Sequence, residues 1–298
     1  MLQDFAVKFV EDLNEKYRRH FEVHRTEHTN NVVKIGVVER QPGDAYTSPV
    51  IYLQDFYQEA ESGEDYSKLL EDFKEMFDQA LTQSKTMLGV TELNSEAYIL
   101  SNVFLSVISY DMNTEILQGV PHRQWLDLAI VCRVLVGGIG VDATALINNS
   151  VFENLSTSEE ELFAVAAKNT FTHPELCTKT RSMQSILSLF QPSLIEDTEQ
   201  LTGPQMFVLC TNTGRYGSAA IGDTKALTAL SDQLNSDLYI LPSSVHELIA
   251  LPKSEVAADV SVLREMVQSV NDTVLNTEEI LSYNVYLFDR ETKEVRIA

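Results

Sequence analysis

The sequence predicts an α+β fold of mixed, mostly antiparallel sheets with packed helices, arranged in two or three lobes. Strand-like runs alternate along the chain with apolar residues at helical spacing. At least two pairs of those runs are separated only by turn-forming residues, so they pair as hairpins. Proline clusters and shifts in composition divide the chain into lobes at about residues 1–90, 91–200 and 201–298.

In the first lobe, Leu2, Phe5, Val7, Phe9, Val10, Leu13 and Tyr17 lie on a broad helical face, which predicts an amphipathic helix. FEVHRTEH and VVKIGVVER then read as strands joined through Thr29-Asn30-Asn31, a turn-prone tripeptide. PGDAYTSP reads as a loop, and SPVIYLQDFYQEAESG passes from β-branched to helical composition before Gly63. A second amphipathic helix is predicted from Tyr66, Leu69, Leu70, Phe73, Phe77 and Leu81.

In the central lobe, NVFLSVISY and LDLAIVCRVLV are rich in β-branched and aromatic residues and read as buried strands. GGIG at 137–140 reads as a tight turn, since it lacks the third glycine and following helix of a dinucleotide-binding fingerprint. LSTSEEELFAVAAKN carries a capping box, Ser or Thr followed three positions later by Glu, ahead of an apolar stripe. Pro174, Pro192 and Pro204 mark residues 172–205 as a connection between lobes.

The last lobe offers MFVLCTN and GSAAIG as strands and DTKALTALSDQLN as a helix with Asp223 as N-cap. DLYILP and HELIALP read as strands, SEVAADVSVLREMVQSVN as a helix, and NVYLFDRETKEVRIA as a hairpin turning near Glu291 to Lys293.

With 298 residues, 44% of them hydrophobic, the chain is long enough to bury a full core. The formal charge of -22 is spread along the sequence, a field that repels phosphate backbones and anionic lipid. The expectation is therefore no direct nucleic-acid binding and no membrane binding. Cys132, Cys177 and Cys210 are far apart and odd in number, which fits buried thiols in a reducing compartment. MLQDFAVKFVEDL lacks the basic n-region of a secretory signal, so a cytoplasmic location is expected.

A polar turn in the last lobe lies in LPSSVHELIALP, where Ser243, Ser244, His246 and Glu247 are candidate catalytic residues. His246-Glu247 begins the HExxH pattern of zinc peptidases, but Ala250 stands where the second histidine is needed. A nucleophilic role for Ser243 or Ser244 requires a base within hydrogen-bond reach and an oxyanion hole, and no GxSxG elbow occurs. His20, His24 and His28 fall on one strand face, a solvent face more than a ligand set. No metal or cofactor is expected. His122 and Trp125, the single tryptophan, are candidate binding residues.

Four stretches taken together carry a resemblance: SPVIYLQDFYQEAESG, SYDMNTEILQGVPHRQWLDLAIV, YILPSSVHELIALP and MVQSVNDTVLNTEEILSYNVYLFDRET. They resemble, in order and over nearly the whole chain, an uncharacterised domain-of-unknown-function family abundant in gut-dwelling Firmicutes and sometimes carried on mobile elements. The middle and the LPSSVHE region are distantly similar to a second uncharacterised Firmicutes family. The first pattern includes Tyr52, Asn113, Pro121, His122, Asp127, Pro242, Ser243, Ser244, His246, Glu247 and Asn271. Neither resemblance implies an activity.

The function expected from the sequence is an acidic, non-enzymatic binding or accessory protein with a protein partner. Two alternatives stand beside it: a hydrolase of unfamiliar type using the 243–247 turn, and an inhibitor that mimics nucleic acid through its carboxylates.

Overall fold

Helix α1 (Leu2–Tyr17) buries Ala6, Phe9, Val10 and Leu13 on one face, the stripe its apolar spacing predicts. That face meets a hairpin of β1 (Phe21–His28) and β2 (Val32–Glu39), paired antiparallel from Phe21↔Glu39 to His28↔Val32. Asn30 and Asn31 make the turn with φ of 62° and 56°, a left-handed conformation that asparagine tolerates better than most residues. Strand β3 (Ile51–Tyr52) adds to β2. Helices α2 (Gln54–Glu61) and α3 (Tyr66–Thr86) complete this unit around an aromatic core. Phe9 meets Phe73 edge to face at 5.5 Å, and Phe21 meets Phe77 likewise at 5.1 Å. Each such pair contributes about 0.5–1.5 kcal/mol beyond area burial.

The computed structural model describes residues 1–40, 48–86, 95–136, 143–185 and 204–298. Its contacts define two compact units, Met1–Asn94 with Val136–Val141, and Ser95–Leu135 with Asp142–Ala298. The GGIG turn, most of the PGDAYTSP loop and residues 186–203 of the expected connection lie outside the described residues.

The second unit is built on two sheets. Strands β4 (Val103–Ser109), β5 (His122–Trp125), β6 (Leu128–Val136) and β7 (Ala143–Leu146) form one, in the order β4-β6-β5 with β7 also on β6. The six-stranded sheet contains β8 (Lys179–Ser182), β9 (Phe207–Cys210), β10 (Leu238–Pro242), β11 (Leu248–Pro252), β12 (Tyr286–Phe288) and β13 (Val295–Ile297), in the order β13-β12-β10-β11-β9-β8. Its pairings are antiparallel throughout. The fold is α+β, as the interleaved periodicities predict.

Helices α4 (Glu96–Asn102), α5 (Thr114–Leu117) and α6 (Asn149–Phe152) are short, and α7 (Glu159–Thr172) opens on the Ser158/Glu161 capping box. Helix α8 (Thr224–Leu234) is capped by Asp223, which accepts from the Ala226 N–H, and α9 (Val260–Thr273) by Asp259. Central strand β10 is buried on both faces. Leu238 and Ile240 enter the main core with Leu227 and Leu230 of α8, while Tyr239 and Leu241 meet Leu263 and Val267 of α9. That two-sided burial explains a continuous apolar run in an antiparallel strand.

GSAAIG, which composition suggests is a strand, forms a 3-10 helix over Gly217–Gly222. Its small side chains let the backbone press against neighbours: a Cβ on Gly217 would stand 2.5 Å from the His246 carbonyl oxygen and 2.7 Å from Cys210 Cα. The Gly217 N–H accordingly donates to the His246 carbonyl at 2.8 Å instead of to a ladder. Among the described residues, no helix is long and apolar enough to cross a membrane.

Candidate functional site

Antiparallel pairing of β10 with β11 ends at Pro242↔Leu248, leaving five residues to reverse the chain. The Ser244 N–H donates to the Glu247 carbonyl at 3.1 Å and closes that turn. Inside it, the His246 N–H donates to Ser244 Oγ at 3.0 Å, and Ser243 Oγ donates to Glu247 Oε1 at 3.2 Å. Val245 plugs the turn into the core, and its N–H donates to the Glu279 carbonyl at 2.9 Å.

The imidazole is held from outside the turn. Its Nδ1 accepts the Tyr216 N–H at 3.2 Å, so Nδ1 carries no proton and Nε2 does. Nε2 lies 3.8 Å from Glu279 Oε1, and the Tyr216 ring stands edge-on to the imidazole at 5.5 Å. Burial holds the His246 pKa below the ordinary histidine value; Glu279 and Glu247 pull it up, whereas Arg215 and Arg133 push it further down.

The structure thus brings Ser243, Ser244, His246 and Glu247 together, as adjacency in sequence requires. Neither serine hydroxyl is hydrogen-bonded to the imidazole. Nucleophilic catalysis needs a hydroxyl within reach of the base, itself oriented by a third group. Here the serines brace the turn and the accepting nitrogen of the ring is spent on a backbone amide.

A further layer surrounds Tyr216. The Arg133 guanidinium lies 4.7 Å above its ring, Thr144 Oγ1 is 3.1 Å from its hydroxyl, and Phe104 packs at 5.7 Å. Burial pushes the Arg133 pKa down, and its shielded Nε has no hydrogen-bond partner. Tyr216, Arg133 and Glu279 were not legible as neighbours of His246. The one local signal is the Tyr-Gly pair at 216–217 before a run of small residues.

His122 belongs elsewhere. Its Nδ1 donates to the Val120 carbonyl at 2.9 Å and its ring lies 6.1 Å from Tyr110, both beside its own strand. Trp125 ends β5, half-buried against the main core. Just beyond it Asp127 accepts from Ser282 Oγ at 2.6 Å, Tyr286 OH at 2.8 Å and Asn284 Nδ2 at 3.1 Å. Asp127 therefore anchors the β5–β6 turn to the segment leading into β12. Among the described residues, no group of three or more His, Cys, Asp or Glu side chains is placed to hold a metal ion. His28 instead hydrogen-bonds Tyr52 OH through Nε2 at 2.8 Å.

Among the described residues, the second unit holds a groove and a cleft. A groove of about 790 Å³ runs between α9 and the six-stranded sheet, lined by Met206, Leu241, Ile249, Leu251, Met266 and Val270 among others, and reaches Pro242 and Ser243. A cleft of about 470 Å³ opens beneath Trp125. Both volumes fall in the range of ligand pockets.

The sequence profile of a family of unknown function, DUF5688, matches residues 2–290. The chain belongs to DUF5688. No curated protein and no solved structure matches it.

Proposed function

We propose that this chain is a non-enzymatic binding protein that receives an apolar segment of a protein partner in the groove between α9 and the six-stranded sheet. The observation that carries this reading is the surface of α9. Leu263 and Val267 pack on β10 and β11, while Met266, 58% exposed, and Val270 line the groove toward solvent together with Met206. Methionines are unbranched and polarizable, so a groove edged by two of them adapts to an incoming apolar surface.

Charge favours one class of occupant. The chain carries -22, and Glu255 is the charged residue among those lining the groove. An amphipathic helix with apolar residues on one face and Lys or Arg on its flanks complements both features. The same reading puts the protein in the cytoplasm, supported by three free cysteines, and makes direct nucleic-acid binding unfavourable.

The test uses the full chain and its Met266→Glu variant, which alters an exposed side chain. A fluorescent amphipathic peptide with lysine flanks should bind the wild type about tenfold more tightly than the same peptide with glutamate flanks. Met266→Glu should abolish the apolar contribution, and a lysate protein retained by the wild type should be lost by the variant. Equal binding of wild type and variant, or turnover of a small-molecule panel without any peptide binding, would overturn the reading.

A further inference from the structure

Arg133 carries a charge without a counter-ion among the described residues. It is half-buried on β6 opposite Phe104, and no described carboxylate stands close enough to act on it. Its Nε is shielded and has no hydrogen-bond partner, its Nη1 donates to Thr144 Oγ1 at a long 3.4 Å, and Nη2 is neither shielded nor paired. The guanidinium rests on the Tyr216 ring, 4.7 Å from the centroid. A cation–π contact offsets only part of what it costs to take an ion out of water, so the charge still favours a counter-ion.

The hydroxyls beside it add a second donor. Thr144 Oγ1 lies 3.1 Å from the Tyr216 hydroxyl, and in that bond one oxygen donates and the other accepts. Because Thr144 Oγ1 also accepts from Arg133, one hydroxyl proton of the pair is left over whichever way the bond points. Nη2 and that proton therefore stand on neighbouring groups, and a carboxylate has the two acceptor oxygens to meet both. Glu279 and Glu247 act on His246, as does Arg215, but none of the three acts on Arg133. With those acids in the adjoining layer and a chain charge of -22, a second negative charge on the ligand is disfavoured.

We infer that Arg133, Thr144 and Tyr216 form a binding site for the carboxylate of a small monoanionic acid. One carboxylate oxygen accepts from Arg133 Nη2 and the other from the remaining hydroxyl proton. None of the three residues lines the α9 groove, so either site can fail without the other.

The test is thermal unfolding of the full-length protein in sodium acetate against sodium chloride at equal ionic strength, with Arg133→Met and Thr144→Val beside the wild type. Acetate should raise the wild-type midpoint saturably, as a ligand of the folded state does. Arg133→Met keeps an apolar stem and removes the charge, so it should fold in chloride and lose the acetate response altogether. Thr144→Val is close in shape and lacks the hydroxyl; it should need about fivefold more acetate for half the effect. A response that does not saturate, or that is equal in wild type and Arg133→Met, overturns the site. If Arg133→Met does not fold, an unchanged half-saturation in Thr144→Val overturns it alone. Inorganic phosphate acting on the wild type at lower concentration than acetate overturns the carboxylate assignment.

Discussion

Tyr216 holds the His246 imidazole through its backbone amide. The Tyr216 N–H donates to His246 Nδ1 at 3.2 Å, and the next amide, that of Gly217, donates to the His246 carbonyl at 2.8 Å. This pairing fastens the β10–β11 turn to the chain segment after β9, and it works only while Nδ1 is unprotonated.

A pH dependence follows from that requirement. The folded pKa of His246 is lowered, chiefly by burial, so between that value and the ordinary 6.5 the unfolded chain binds more protons. Stability from this residue is then full above 6.5 and is lost as pH falls through the window below it. Denaturant unfolding at about pH 7.5 and about pH 5 should show the loss. His246→Asn, whose side-chain oxygen can replace Nδ1 as acceptor, should show a shallower decline; identical slopes would refute the assignment.

Ser244→Ala should cost about 1–2 kcal/mol, because it removes the acceptor of the His246 N–H in a buried turn. Ser243→Ala should cost about 0.5 kcal/mol or less, since Glu247 can turn to solvent. Denaturant midpoints measure both. A Ser244→Ala protein of undiminished stability that had lost a hydrolytic activity would favour the hydrolase reading instead.

Asp127→Ala should be among the more damaging single changes in the second unit, at about 3 kcal/mol or more. It strands three donors at once, including the buried Tyr286 hydroxyl, whose pKa is already raised by burial and by the neighbouring carboxylate. Asp127→Asn retains one acceptor oxygen and should recover part of the loss in thermal unfolding.

Gly217→Ala should destabilise by about 1–3 kcal/mol, the usual cost of overpacking. The added methyl meets backbone atoms, the His246 carbonyl oxygen and Cys210 Cα, which cannot rotate away. Gly222→Ala, five residues on, meets only the edge of Phe171 at 3.9 Å and should be close to neutral. Comparing the two by chemical denaturation separates close approach from loss of glycine flexibility, since neither residue has a positive φ.

The sequence made legible those features whose partners sit within a few residues. The Thr29–Asn31 turn, the Ser158/Glu161 capping box, the Asp223 cap and the two amphipathic helices of the first unit are such features, because hydrogen bonds at i to i+3 and apolar periods of two or 3.6 are written in adjacent residues. The α+β class follows from their alternation. GSAAIG reads as a strand for the complementary reason: small apolar residues suit a strand, and only the close approach of Cys210 and the 246 carbonyl selects a tight helix.

The candidate sites divide along the same line. Ser243, Ser244, His246 and Glu247 are visible as a polar turn, yet what the ring does depends on Tyr216, thirty residues away, and on Glu279. Asp127 meets its partners across 155 to 159 residues, and the walls under Trp125 are drawn from both sides of the chain's middle. Local spacing sets which faces are apolar and where helices begin and end. Which distant faces meet, and the grooves left where they do not quite close, is decided by packing around a shared core, and no short stretch of sequence records that choice.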